Sequence, residues 1–161
     1  MNIAIVGATG NVGRKTLEVL EKKGLKIDNL YLVASSKSAG IKIKFKGKEY
    51  EVSDLENFDF SKAKIIFFAA GGKISEKFAE KASKSSFVID NSSFFRMDQD
   101  VPLIVPQVNP EDLKNMKKNI IANPNCSTAQ LVIALKPLHD LFNIKRVVVS
   151  TYQSVSGGGK A

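Results

Sequence analysis

The chain has 161 residues, one cysteine and a formal net charge of +8, which lysine carries far more than arginine. This length suits one ordinary domain and part of a second, the lone cysteine excludes an internal disulfide and favours a reducing, cytoplasmic setting, and no apolar run is long enough for a membrane-spanning helix. Since the lysines are spread along every segment instead of clustering with arginines and aromatics, the charge predicts solubility and attraction for anionic ligands, not nucleic-acid binding.

The chain begins with a predicted strand, glycine loop and helix. An apolar run from Ile3 to Val6 is typical of a strand buried on both faces, and no basic signal-peptide region precedes it. Residues 7–13 then read Gly-Ala-Thr-Gly-Asn-Val-Gly, and a helical pattern follows that ends at Gly24. Glycines here let the backbone approach a pyrophosphate while helix N–H groups point at it. We predict a dinucleotide site; the alternative is a tight turn without a ligand.

The second predicted strand, Leu30 to Ala34, ends in Ser35-Ser36-Lys37-Ser38. An NAD-specific fold usually places an acid at this point, whereas hydroxyl groups and a lysine suit the 2′-phosphate of NADP. The loop therefore favours NADP, and an ordinary polar loop is the alternative.

The middle of the chain is predicted to add a hairpin and two strands. Residues 41–52 alternate apolar residues with lysines, which predicts a hairpin whose lysine face protects a sheet edge. A strand over 64–70 is followed by Gly71 and Gly72 before a helix, so Ala70, Gly71 and Gly72 should line the nicotinamide side of the groove. A strand over 87–90 leads to Arg96, a candidate anion clamp. A surface salt bridge from Arg96 to a nearby aspartate, Asp98 or Asp100, is the alternative.

The cysteine follows a short predicted strand over 119–122, in the sequence Asn123-Pro124-Asn125-Cys126-Ser127-Thr128. An apolar, helix-spaced run starts directly after it. A thiol at a helix N-terminus lies beside unpaired N–H groups and the positive end of the helix dipole, which favour the thiolate. Cys126 is therefore a candidate nucleophile, with a buried structural cysteine as the alternative. A last strand is predicted over Lys145 to Thr151, before a glycine-rich loop.

Four motifs, at 7–13, 92–96, 123–128 and 150–157, resemble the aspartate-β-semialdehyde dehydrogenase family along the entire chain. The resemblance implies an α/β fold, with a Rossmann-type, doubly wound, mostly parallel sheet that binds NADP over residues 1–126. The start of a second, α+β catalytic and dimerisation domain would follow over residues 127–161. We expect the chain to be the N-terminal piece of a longer protein.

The reaction that the resemblance implies is NADPH-dependent reductive dephosphorylation of L-aspartyl-4-phosphate to L-aspartate 4-semialdehyde through a cysteine thioester. This step belongs to lysine, methionine and threonine biosynthesis. The family resemblance also implies a homodimer or homotetramer when full length, and no metal.

Carried over residue by residue, the resemblance implies Cys126 as the nucleophile and Gln153 as the residue that orients the substrate. Arg96 would bind the phosphate, and Asn125 would assist with the phosphate or the oxyanion. The implied cofactor contacts come from the pyrophosphate loop, the adenosine-phosphate loop and the nicotinamide side: Gly7, Thr9, Gly10, Asn11, Val12, Ser35, Lys37, Ser38, Ala70, Gly71, Ser156 and Gly157.

The family's acid–base histidine has no counterpart in this sequence. His139 lies roughly 20 Å from Cys126 along the predicted helix, at 1.5 Å per residue, which is beyond hydrogen-bond reach. A position near a helix C-terminus, where positive charge is favourable, is the better reading of His139. We therefore expect this chain alone to bind NADP weakly or not at all and to show no turnover.

Three other functions remain open on the sequence. N-acetyl-γ-glutamyl-phosphate reductase has similar chemistry but typically sets its cysteine in a Pro-Gly-Cys context, whereas Asn125 precedes Cys126 here. Glyceraldehyde-3-phosphate dehydrogenase usually shows a different opening loop. A non-catalytic NADP-binding or regulatory module would leave Cys126 with a structural role.

Overall fold

The structure, a computed structural model, describes residues 1–153. Its strands are β1 (Asn2–Val6), β2 (Asn29–Ala34), β3 (Lys42–Phe45), β4 (Lys48–Asp54), β5 (Ile65–Phe68), β6 (Phe87–Asp90) and β7 (Ile120–Ala122). The α-helices in this range are α1 (Asn11–Lys22), α2 (Gly72–Ser83) and α3 (Cys126–Phe142). The strands form one sheet in the order β3-β4-β2-β1-β5-β6-β7, parallel except for the β3–β4 pair.

The strand β1 lies at the centre of the sheet because it is apolar on both faces. Ala4 and Val6 join the hydrophobic cluster that α2 covers, whereas Ile3 and Ile5 join the cluster that α1 covers. Successive side chains of a strand point to opposite faces, so a continuous apolar run is what a sheet covered on both sides requires. The predicted Rossmann-type, doubly wound sheet is confirmed.

The predicted hairpin is confirmed and extends the same sheet. Its outer strand β3 buries Ile43 and Phe45 and exposes Lys42 and Lys44, so lysines stand along the sheet edge as predicted. The inner strand β4 pairs in parallel with β2. The hairpin therefore lengthens the sheet on the side of the loop that follows β2, over residues 35–38.

The prediction of a strand over Lys145 to Thr151 is wrong, since the structure assigns no strand to these residues. The helix α3 ends at Phe142, Asn143 follows it in the left-handed conformation with φ 51°, and no regular element follows up to residue 153. Val148 at the centre of the predicted strand is 84% exposed. A β-branched run favours a strand through packing against neighbouring strands, and the described part of the chain offers it none.

The helix α3 differs from α1 and α2 in its burial. It contains no buried residue, whereas α1 buries Leu17 and Leu20 and α2 buries Phe78 and two alanines.

Among the described residues, no helix combines the length and the apolarity that crossing a lipid bilayer demands.

Candidate functional site

The glycine loop between β1 and α1 is shaped by backbone contacts. Gly7 has φ +85°, and a Cβ atom there would lie 2.6 Å from the carbonyl oxygen of Ala69. A Cβ atom on Gly13 would overlap with the carbonyl oxygen of Gly7. These two glycines are therefore required by the turn and by the packing of α1 on the strand ends.

Gly10 is a glycine for which the fold supplies no such reason. It is the N-cap of α1 with φ −77°, a conformation that any residue adopts, and a Cβ atom there would lie 3.4 Å from its nearest neighbour outside the flanking residues. No side chain caps the helix at this point. The missing side chain leaves room above the first N–H groups of α1, where an anionic group of a ligand fits.

A cleft of about 410 Å³ opens in front of this loop, at the point where the strand order reverses between β1 and β5. In doubly wound sheets this is where ligands bind. The cleft is lined by residues that follow or end β1, β2 and β5, together with two apolar side chains: Val6, Gly7, Thr9, Gly10, Ala34, Ser35, Leu55, Ala69, Ala70 and Ile74. Five of the predicted cofactor residues therefore share one cleft.

The remaining predicted cofactor residues lie beside the cleft or outside the described range. Asn11 and Val12 form the first turn of α1, and Val12 lines a second cavity that α1 shares with residues of β5 and β6. Gly71, with φ +87°, is the N-cap of α2. Ser156 and Gly157 lie outside the described residues.

The loop over residues 35–38, for which we predicted a contact with the adenosine phosphate, forms a short 3-10 helix, Ser36–Ser38, directly after β2. Lys37 is exposed there, and none of the ion pairs within residues 1–153 includes it. Ser35, at the start of this loop, lines the cleft. The loop can therefore offer an ammonium group and hydroxyls to a phosphate at the rim of the cleft.

Arg96 is half-buried and held by main-chain carbonyls. Its Nε donates to the oxygen of Asn123 at 3.0 Å and its Nη2 donates to the oxygen of Asn91 at 3.2 Å. The two asparagine side chains also bond to each other, with Asn123 Nδ2 donating to Asn91 Oδ1 at 2.9 Å. A guanidinium has five N–H donors, so donors remain for an anion after both carbonyls are satisfied.

The salt bridge that competed with this reading of Arg96 is not formed. Asp98 pairs with Lys118 at 3.1 Å, and Asp100 pairs with Lys117 at 2.7 Å. The Asp100 backbone N–H and then the Lys118 ammonium hold the pKa of the Asp98 carboxyl below its usual value. Because both aspartates are engaged by lysines, Arg96 is left with carbonyl partners within residues 1–153.

Cys126 is the first residue of α3 and is exposed. The preceding Asn125 caps the helix, since its Oδ1 accepts from the backbone N–H of Ser127 at 3.0 Å and from the Ser127 hydroxyl at 2.6 Å. The predicted placement of the cysteine at a helix N-terminus is confirmed, and a buried structural cysteine is not what the structure contains. The amide nitrogen of Asn125 stays available for a ligand, while its oxygen is committed to the cap.

Arg96 and Cys126 are connected through one turn. The carbonyl that accepts from the Arg96 Nε–H belongs to Asn123, three residues before the cysteine.

Gln153 is exposed in the irregular stretch after α3, and none of the hydrogen bonds among the described residues includes its side chain. His139 lies in the last turn of α3, as predicted, at the opposite end from Cys126.

The sequence analysis missed a buried polar cluster at the end of β6. Asp90, Ser75 and Ser92 are all buried, and both serines donate hydrogen bonds to the Asp90 carboxyl group. A carboxyl group that ends an otherwise apolar strand was the available signal, because buried carboxyl groups need partners.

Comparison with known families gives two matches along the chain. Residues 2–116 match the semialdehyde dehydrogenase NAD binding domain, and residues 135–161 match the semialdehyde dehydrogenase dimerisation domain. The aspartate-semialdehyde dehydrogenase of Shewanella sp. (strain DB6705) is 52% identical over 99% of this chain and 48% of that protein. The aspartate-semialdehyde dehydrogenase of Aquifex aeolicus is 58% identical over 98% of this chain and 47% of that protein.

Solved structures give a similar result. Aspartate semialdehyde dehydrogenase II from Vibrio cholerae, complexed with ASA, superposes with a TM-score of 0.95 at 50% identity, covering 99% of this chain and 48% of that one. Aspartate semialdehyde dehydrogenase with NADP from Candida albicans gives a TM-score of 0.73 at 29% identity, covering 89% of this chain and 48% of that one. The chain thus spans about half the length of the relatives it matches.

Proposed function

The chain belongs to the semialdehyde dehydrogenase family, and from this premise we propose that it supplies the nucleotide-binding part and the nucleophile of an NADPH-dependent aspartate-semialdehyde dehydrogenase. The observation that carries the proposal is the hydrogen bond from Arg96 to the turn that presents Cys126. An anion-binding group and a thiol at a helix N-terminus are what attack on an acyl phosphate requires. Relatives named for this activity, at 52% and 58% identity, support the choice of substrate.

The proposed chemistry begins at the Cys126 sulfur. The thiolate attacks the acyl carbon of L-aspartyl-4-phosphate, the carbon–oxygen bond to the phosphate breaks, and Arg96 binds the departing phosphate. A thioester on Cys126 remains, and a reduced nicotinamide held by the residues of the cleft would supply the hydride for its reduction. Cys126 then leaves as thiolate when the carbon–sulfur bond breaks and the aldehyde forms. Splitting the reaction through a covalent intermediate replaces one difficult step by two easier ones.

The roles proposed for the other residues rest on the family resemblance and on their positions. Asn125 would donate its amide N–H groups to the phosphate or to the oxyanion, since its oxygen caps α3. Gln153 would orient the substrate. We assign the acid–base group to a residue outside these 161 positions, because His139 lies at the far end of α3. The chain alone is therefore proposed to bind NADP weakly or not at all and to be without turnover.

The domain organisation is part of the proposal. Residues 1–126 would form the NADP-binding domain and residues 127–161 the beginning of the catalytic and dimerisation domain. The match of residues 135–161 to a dimerisation domain supports this division and a homodimer or homotetramer. A cytoplasmic role in lysine, methionine and threonine biosynthesis would follow from the reaction.

The test of the proposed function uses the complete enzyme, meaning these residues continued to the length of the relatives, for example with the remainder of the Vibrio cholerae protein. With aspartate semialdehyde, phosphate and NADP, it should form NADPH at a rate that depends on phosphate. The 161-residue chain should form none. Turnover by that chain, or a preference of the complete enzyme for N-acetylglutamate semialdehyde, would contradict the proposal.

The glycine loop gives a matched pair of substitutions. Gly10→Ala should lower the thermal midpoint of the complete enzyme only slightly, because the new methyl group comes no closer than 3.4 Å to its nearest neighbour and the loss is that of a glycine N-cap. The same methyl group stands where the pyrophosphate would approach, so the dissociation constant for NADPH should rise by about tenfold or more. Gly13→Ala should instead destabilise the fold by about 2 kcal/mol or more, since its Cβ meets the Gly7 carbonyl. Equal losses of stability in both variants would contradict this division of roles.

The cofactor preference can be tested at Lys37. In the complete enzyme, Lys37→Glu should raise the KM for NADPH by about 10- to 100-fold, because a charge-assisted hydrogen bond is replaced by repulsion of the 2′-phosphate. The KM for NADH, which lacks that phosphate, should change little. Lys44→Glu, on the exposed edge of β3, makes the same change of charge and should leave both values unchanged. An equal rise for both nucleotides in the Lys37 variant would contradict the NADP assignment.

A further inference from the structure

Asp90 is a fully buried carboxyl group for which the proposed reaction has no use. It ends β6, the exposed fraction of the residue is 0%, and none of the ion pairs within residues 1–153 includes it. An apolar residue would continue the pattern of the strand without the cost of burying a carboxyl group. The free-energy cost of burying the Asp90 carboxyl group must therefore be offset by the hydrogen bonds that it accepts.

Three hydrogen bonds converge on the Asp90 carboxyl. Its Oδ1 accepts from the Ser75 hydroxyl at 2.6 Å and from the Ser92 backbone N–H at 3.1 Å, and its Oδ2 accepts from the Ser92 hydroxyl at 2.6 Å. Ser75 belongs to the first part of α2, next to the cleft, whereas Ser92 belongs to the loop that leads to Arg96. The buried carboxyl therefore ties that loop to the cofactor side of the sheet.

The same contacts fix the loop from residue 91 to residue 96. The Ser92 hydroxyl, besides donating to Asp90, accepts from the backbone N–H of Phe94 at 3.1 Å. Phe95 is then 2% exposed in the hydrophobic cluster under α2. Because Ser92, Phe94 and Phe95 are held by these contacts, the backbone of Arg96 is fixed and its guanidinium reaches the carbonyls of Asn123 and Asn91.

We propose that Asp90 is a positioning residue for Arg96, acting through Ser92 on the loop that carries the guanidinium. This inference rests on the proposed function of Arg96 as the phosphate ligand. A guanidinium binds a phosphate well only when its planar donors are in place, and a displacement of about 1 Å can cost about 100-fold in rate. The buried carboxyl supplies that placement without touching the substrate.

Two substitutions in the complete enzyme break the hydrogen bond between the Ser92 hydroxyl and the Asp90 carboxyl in different ways. Asp90→Asn keeps the shape of the side chain but loses the acceptor for the Ser92 hydroxyl, and Ser92→Ala removes the hydroxyl itself. Each should raise the KM for aspartyl phosphate, and for inorganic phosphate in the reverse direction, by about tenfold, while the KM for NADPH stays within about twofold of the parent value.

Ser86→Ala is the matched control. The Ser86 hydroxyl is also buried and lies within hydrogen-bond distance of the carbonyl oxygens of Phe60, at 2.9 Å, and Ala63, at 2.7 Å, before β6 begins. Its loss should lower the thermal midpoint about as much as Ser92→Ala does, and should leave both KM values unchanged. If Ser86→Ala raised the phosphate KM equally, general loosening of the fold would explain the result and the positioning role would be refuted.

A double substitution separates this inference from the proposed function. Since Asp90 acts through Arg96, Ser92→Ala should have less than about a twofold effect on the phosphate KM in an Arg96→Lys background. A further tenfold rise in that background would overturn the positioning role. A parent enzyme without phosphate-dependent turnover would overturn the proposed function, and an active parent whose phosphate KM ignores both Asp90→Asn and Ser92→Ala would overturn this inference alone.

Discussion

Replacing Cys126 with serine in the complete enzyme is expected to lower kcat by about 10⁴-fold or more, the scale on which removal of a covalent nucleophile acts. A hydroxyl at this position is not ionised near neutral pH and is a poor leaving group when the aldehyde forms. The fold should be unaffected, because Cys126 is exposed at the start of α3. Steady-state rates together with the thermal midpoint measure both effects.

The covalent intermediate gives this prediction a sharper readout. Without NADPH, the parent enzyme mixed with aspartyl phosphate should release about one phosphate per active site and hold the acyl group on Cys126, as covalent catalysis predicts. Cys126→Ser should release none. Iodoacetamide should modify Cys126, which is exposed at the start of α3, and should abolish turnover of the parent enzyme. A phosphate burst from the serine variant would show that another group is the nucleophile.

Arg96→Lys is the second substitution with a large expected effect. Lysine lacks the planar, forked donors with which a guanidinium can bond to the Asn91 and Asn123 carbonyls and to an anion at the same time. The value of kcat/KM for aspartyl phosphate should therefore fall by about 100-fold or more. Most of the loss should be in the KM for phosphate in the reverse direction. The KM for NADPH should change little, because the cleft proposed for the cofactor lies at the ends of β1, β2 and β5, whereas Arg96 follows β6.

Arg146→Lys serves as the control for Arg96→Lys. Arg146 is exposed in the irregular stretch after α3, and the same exchange there should leave the phosphate KM unchanged. An Arg96→Lys enzyme with the parent KM for phosphate would remove Arg96 from the site. A large loss of NADPH affinity would instead mean that the guanidinium serves the cofactor.

The parts of the fold that were predicted from sequence are those with local signals. The central strands are apolar without interruption, as burial on both faces demands, and the glycine loop occupies seven consecutive residues. The cleft residues around Gly10 and Ala70 followed from one rule about where ligands lie on a doubly wound sheet. The lysine-faced hairpin was readable for the same reason, since alternation is a property of neighbouring residues.

The parts that sequence reasoning missed depend on distant contacts. The strand predicted over 145–151 has the right residues but no neighbouring strand among those described. Arg96 bonds to a carbonyl 27 residues away, and Asp90 bonds to a hydroxyl 15 residues away on another element. Asn125 was expected to serve the substrate, and its role as the cap of α3 emerged only once the start of that helix was fixed at Cys126.

The acceptors that hold Arg96 belong to the main chain of Asn91 and Asn123. Every residue type carries a backbone carbonyl, so a lineage that exchanged either asparagine would keep both acceptors. Exchange of either asparagine is therefore compatible with the proposed anion site, whereas exchange of Arg96 is not. A comparison of side chains alone would overlook the two acceptors that hold Arg96, because both are backbone carbonyl oxygens.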